Sequence, residues 1–167
     1  MGSDPKLTRL VEVLRELGAP EPEGWAASEF AEGIPQTARF LFLRQAWRCV
    51  VADGSSWIET TIAHATRKPD DPYAGAGHAL ARLRARGATD RELTELVRAM
   101  QAELLFSFCY LLEDPGEVEP AVADLSWGLF LTDEEGNPLE HLGGLHESVL
   151  ETDPAGREVR PPADWQK

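Results

Sequence analysis

The sequence lacks most of the marks by which an activity is read. It has no GxGxxG after a strand, no P-loop, no GxSxG elbow and no HExxH. Nucleotide cradling by a glycine-rich loop and a standard serine-hydrolase arrangement therefore have no support. Cysteine is scarce: Cys49 and Cys109 stand far apart with no CxxC spacing, which argues against a zinc knuckle or a redox pair. Both lie in apolar helical patterns and read as small buried hydrophobes. No apolar run approaches the roughly 20 residues of a membrane span. Residues 1–18 alternate charged and apolar character, unlike a signal peptide. The expected setting is a reducing cytoplasm. No internal repeat or low-complexity tract occurs.

Basic residues are absent from one long stretch. Between Arg98 and Arg157 there is no Lys or Arg, yet there are 13 Asp and Glu. The remaining residues hold 16 acids and 16 bases, so the whole formal charge of −13 belongs to the 58 residues 99–156. Such a balance opposes binding to a nucleic-acid backbone, which needs clustered cations. It fits a solvated face, or a surface that attracts a cationic protein or a divalent ion.

What is present is helical periodicity over a chain long enough to bury a core without staples. Asp4 and Pro5 open a first helix whose Leu7, Leu10, Val11, Leu14 and Leu17 share one face; Gly18 ends it. Residues 19–35 read as a linker pinned by Trp25 and Phe30, with room for a helical turn over 26–31. A central helix is expected over 35–52. A third, over 56–67, has a Ser56/Glu59 capping box. Asp71-Pro72 opens a fourth, whose small residues, Gly75-Ala76-Gly77 included, suit close helix packing rather than phosphate binding. The fifth starts at a Thr89/Glu92 capping box and runs to about Leu112. Its end, residues 104–112, is apolar all round and is expected to be buried. Period-two alternation over 127–132 and the turn 133–138 indicate a β-hairpin; residues 145–151 fit either a strand or a helical turn. Trp47, Trp57 and Trp127 are expected in the core; Trp25 and Trp165 are the candidates for partial exposure. The expected fold is mainly α: a bundle of about five helices over 1–116, a small acidic β-containing unit over 117–160 (α+β), and a tail over 161–167.

Two sets of residues are candidates for function. Asp133, Glu134, Glu135, Glu140, Glu147 and Glu151 are the acids that would meet a basic partner. His141 and His146 flank Gly143-Gly144, and with Glu147 they are the chain's best candidates for metal ligation. Their spacing is not that of a helical metal motif, and the plainer expectation is a turn histidine beside solvated acids. His64 and His78 read as helix-surface or packing residues, with Asp53 or Glu59 in reach of His64. Arg44 and Arg48, one turn apart, would clamp a carboxylate on a ligand or on the acidic unit, or bridge to Glu59 or Glu103. Arg82, Arg84 and Arg86 fan around their helix and form no stripe.

No residue pattern assigns an activity, so three expectations are carried forward. The first is a non-enzymatic, acidic protein-interaction module, in the manner of an inhibitor or immunity-type protein that binds a basic partner without nucleic acid or membrane. The second is a metal-dependent hydrolase using His141, His146 and nearby carboxylates around a divalent ion. The third is a ligand-binding or self-associating helical domain, such as a homodimer.

Overall fold

The computed structural model describes residues 4–114, 116 and 119–165. Among these the chain is mainly α, 57% helical, with six helices and one antiparallel hairpin. The helices are α1 Pro5–Leu17, α2 Pro22–Glu32, α3 Gln36–Trp47, α4 Trp57–Arg67, α5 Ala74–Ala85 and α6 Asp90–Leu111. Strands β1 Phe130–Thr132 and β2 Pro138–His141 follow, with 3-10 turns at Pro120–Val122, Leu145–Ser148 and Ala163–Trp165. No helix is long and apolar enough to cross a membrane, among the described residues.

The chain divides into two compact units. One comprises the chain up to Trp47 with Leu104–Glu158; the other comprises Arg48–Glu103 with the chain from Val159 onward.

In the first unit, α1, α2 and α3 enclose Leu14, Trp25, Ala26 and Phe40, with Leu7, Leu10, Val11 and Leu17 packed against them. Asp4 caps α1 by accepting the Lys6 amide proton at 2.8 Å. Gly18, in the left-handed region at φ 81°, closes it. Arg44 adds to that end, donating to the Leu17 carbonyl at 2.8 Å. A cation at the carbonyl end of α1 suits its dipole. The segment expected to be a linker is helix α2. Trp25 meets Phe40 edge to face at 5.6 Å and is buried, so the ring supplies the core contact that turns a Pro- and Glu-rich stretch into an ordered helix. Phe30, its supposed second pin, is exposed. Helix α3 stops at Trp47, short of the expected residue 52. The Trp47 indole N–H donates to the Val149 carbonyl at 3.1 Å and to Thr152 Oγ1 at 3.2 Å. These bonds tie residues 145–153 to α3 beside the buried Leu145 and Val149.

In the second unit, Ile58, Leu80 and Leu93 form the core, with Trp57, half-buried, and Ile62 against it. Helices α4 and α5 approach at Gly77, where a Cβ would lie 2.5 Å from both Ala65 Cβ and the Thr61 carbonyl oxygen. The Thr89/Glu92 capping box forms: Glu92 Oε2 accepts the Thr89 amide proton at 2.8 Å, and Thr89 Oγ1 accepts that of Glu92 at 3.2 Å. The Ser56/Glu59 box does not, since Ser56 makes no side-chain cap bond. Buried Arg98 donates to the Val51 carbonyl at 2.9 Å, while Gln101 accepts the Val51 amide proton at 2.8 Å. Near the end of the chain, Arg91 forks onto the Asp164 carboxylate and its guanidinium lies 5.6 Å from the Trp165 ring centre. That charge-assisted pairing holds the Asp164 carboxyl below the usual range.

Three burial expectations are corrected. Cys49 is exposed, because α3 ends before it. Trp127 is about half exposed, since β1 begins only at Phe130. The end of α6 is not enclosed: Leu104, Phe106, Phe108, Tyr110 and Leu111 are exposed and only Cys109 is fully buried. One side of that stretch packs inward, and apolar composition all round does not by itself recruit neighbours for the other side.

Candidate functional site

The hairpin turn and the 3-10 turn that follows it carry the acids. Asp133 holds the hairpin turn. Its Oδ1 accepts amide protons from Glu135 at 3.1 Å and Asn137 at 2.8 Å, and its Oδ2 accepts from Asn137 Nδ2 at 2.9 Å. These bonds, the Asn137 side chain foremost, favour the ionised carboxylate and lower its pKa. Asp133 is thus a structural acid, and its negative charge is internally engaged. Glu134, Glu135, Glu140 and Glu151 are exposed, and their carboxylates have no hydrogen-bond or ion-pair partner among the described residues.

Residues 143–148 are held by two groups that lie far from them in sequence. The first is Glu113, just beyond α6. Its Oε2 accepts the Gly144 amide proton at 2.9 Å and lies 3.1 Å from His146 Nδ1. The second is Arg39 of α3, which is 5% exposed; it donates to the Gly144 carbonyl and lies 3.7 Å from Glu147 Oε2. The two glycines make room for both. A Cβ on Gly143 would stand 3.0 Å from Glu113 Oε1 and 2.9 Å from His141 Cε1. Gly144 sits at φ 67°, and a Cβ there would stand 2.8 Å from Arg39 Nη2. The pair expected to aim two rings at an ion instead admits a carboxylate and a guanidinium. Only the odd position of Arg39 on an otherwise apolar stretch of α3 hinted at this arrangement; nothing in the local pattern singled out Glu113.

The histidines go different ways. His146 packs edge to face on Tyr110 and Phe106, with ring centres at 5.1 and 5.9 Å. His141, at the end of β2, lies tilted on Phe130 at 5.2 Å. Glu147 turns to Arg39 rather than to either ring. Among the described residues, no group of three or more His, Cys, Asp or Glu is placed to hold a metal ion. Residues 145–148 form a 3-10 turn, so Leu145 and Ser148 point inward while Glu147 faces outward. In the other unit, His64 meets Asp71 at 3.5 Å rather than Asp53 or Glu59, and His78 Nε2 lies 3.3 Å from the Pro69 carbonyl. The Tyr73 amide proton is the main cause that lowers the Asp71 pKa. Arg44 is spent on α1, and Arg48 lies beyond α3, so the two do not form the clamp expected from their spacing.

The geometry therefore presents a turn-rich acidic segment pinned from behind by Arg39, Glu113 and Trp47, with carboxylates displayed on its outside. Comparison with family models, with curated proteins and with solved structures finds no match for the chain.

Proposed function

We propose that the protein is a non-enzymatic, acidic interaction module that docks a basic partner protein, as an inhibitor or immunity-type protein does. One observation carries this reading: the 58 residues 99–156 contain 13 acids and no Lys or Arg, while the rest of the chain is electrically balanced. A surface with one sign of charge steers an oppositely charged partner and speeds encounter. The display of Glu134, Glu135, Glu140 and Glu151 on turns anchored elsewhere supports it, because these carboxylates keep their charge available. Glu147 contributes at the rim and shares its charge with Arg39. Asp133 belongs to the same surface but acts by shaping the turn.

The test is capture of partners on immobilised protein at about 0.05 and 0.5 M salt, where the Debye length falls several-fold. Proteins of net positive charge are expected to be retained at low salt and released at high salt. A variant carrying Glu134→Gln, Glu135→Gln, Glu140→Gln and Glu151→Gln is expected to retain them at least tenfold less well. Retention of acidic proteins, or retention indifferent to salt and to these substitutions, would overturn the reading.

A further inference from the structure

The proposed reading rests on charge alone, yet the same unit carries an exposed apolar surface. Leu104, Phe108 and Leu111 lie at i, i+4 and i+7 on the end of α6, hence on one face, and are 55%, 54% and 44% exposed. Trp127, also exposed, stands at the end of the helix, where its indole N–H donates to the Leu111 carbonyl at 2.6 Å. That carbonyl is one of the four that α6 itself leaves unpaired. Three large apolar side chains exposed on one helix face, with a fourth at the helix end, are unusual for a surface that faces only water.

The electrostatics of this end of α6 select the occupant. The last turn holds no basic residue, so no cation of the helix itself offsets the negative end of its dipole. Asp114, exposed, stands three residues past the helix, and no Lys or Arg occurs in the sequence until Arg157; Glu113 turns inward to Gly144 and His146 and adds no charge to this face. A second copy meeting this face with its own would bring the same acidic surface against itself. An anionic lipid surface would be repelled in the same way. An amphipathic helix with large apolar residues along one face and Lys or Arg beside them satisfies both halves of the surface.

The structure assigns the Leu104, Phe108, Leu111 and Trp127 face as the seat of a cationic amphipathic helix presented by the partner. This deepens the proposed function and rests on it: the exposed glutamates steer, and this face holds. Apolar anchors are then the slow-to-dissociate part of the contact, and the carboxylates set its rate of formation.

Two peptides test it, using the whole 167-residue chain. One is an 18-residue Leu/Lys helix with all its leucines on one face; the other has the same composition with the leucines scattered. The amphipathic peptide is expected to bind at least tenfold more tightly than the scattered one, and more weakly as salt rises. Leu104→Gln with Phe108→Gln is expected to remove that preference while leaving the far-ultraviolet circular dichroism unchanged, because both residues are more than half exposed. If both peptides bind equally, or the double variant keeps the preference, the docking face is overturned and the charge reading stands. If neither peptide binds at low salt, both fall. If sedimentation shows dimers that the double variant dissolves, or anionic vesicles bind in the peptide's place, the assigned occupant is wrong.

Discussion

Cys49 and Cys109 are of one residue type in opposite surroundings. Cys49 is exposed just past α3, whereas Cys109 is 1% exposed inside α6. Burial of Cys109 disfavours the thiolate and pushes its pKa up to about 11. A thiolate-directed reagent at pH 8 is therefore expected to modify one thiol per folded chain, and the second only after denaturation. Cys49→Ser should leave folded protein unreactive, and equal reactivity of both thiols would contradict the assignment. The sign of the linkage follows. The protonated thiol is the form that the fold favours, so its contribution is complete below the ordinary thiol range of roughly 8.5. It is lost as pH climbs from there through about 11. Alkaline titration of stability in wild type against Cys109→Ala should show that loss in wild type only.

At the scale of elements, Gly75 and Gly77 of α5 separate packing from propensity. An added Cβ at Gly75 meets nothing within 4 Å, while at Gly77 it would meet Ala65 and the Thr61 backbone at 2.5 Å. Gly75→Ala is expected to stabilise by up to about 1 kcal/mol through helix propensity. Gly77→Ala is expected to destabilise by about 1–3 kcal/mol, because backbone cannot yield as a flexible side chain can. Denaturant melts of the two variants decide this, and a neutral Gly77→Ala would mean that α4 and α5 do not meet there. The small-residue run was legible as a packing face because Gly and Ala leave few other roles on a helix. The first helix, the Thr89/Glu92 start of α6 and the hairpin were legible for the same kind of reason: their signals are local. Helix α2 was not, since its order comes from Trp25 reaching Phe40 across the chain. The inward grip of Arg39 and Glu113 on Gly144 was hidden likewise, because the partners are 105 and 31 residues apart in sequence. The end of α6 is exposed against expectation because composition reports what a side chain prefers and not what stands beside it. Of the candidate acids, position in a cation-free window was visible from sequence; that Asp133 is internally bonded was not.

At the scale of the whole molecule, the charge distribution predicts how stability responds to salt. The thirteen acids of residues 99–156 lie in a stretch of sequence with no Lys or Arg, and the carboxylates displayed on the hairpin and the turns after it repel one another in the folded state. The expanded unfolded chain relieves that repulsion by separating them. Added salt screens it, with a Debye length that falls from about 30 Å at 0.01 M to about 3 Å at 1 M. The few surface ion pairs that salt also weakens, such as Arg9 with Glu12 and Arg84 with Glu59, are exposed and contribute little. Sodium chloride is therefore expected to raise the Tm of the folded protein at pH 7. The variant with Glu134, Glu135, Glu140 and Glu151 all changed to Gln should start from a higher Tm and gain less from salt. Replacing Glu12, Glu16, Glu23 and Glu32 by Gln removes equal charge from the balanced part of the chain and should not reproduce that pattern. Calorimetry of the three proteins over the salt range measures the slopes. If both variants flatten the slope equally, the negative charge acts as a total; if only the first does, it acts as a local field at the surface proposed to meet a partner.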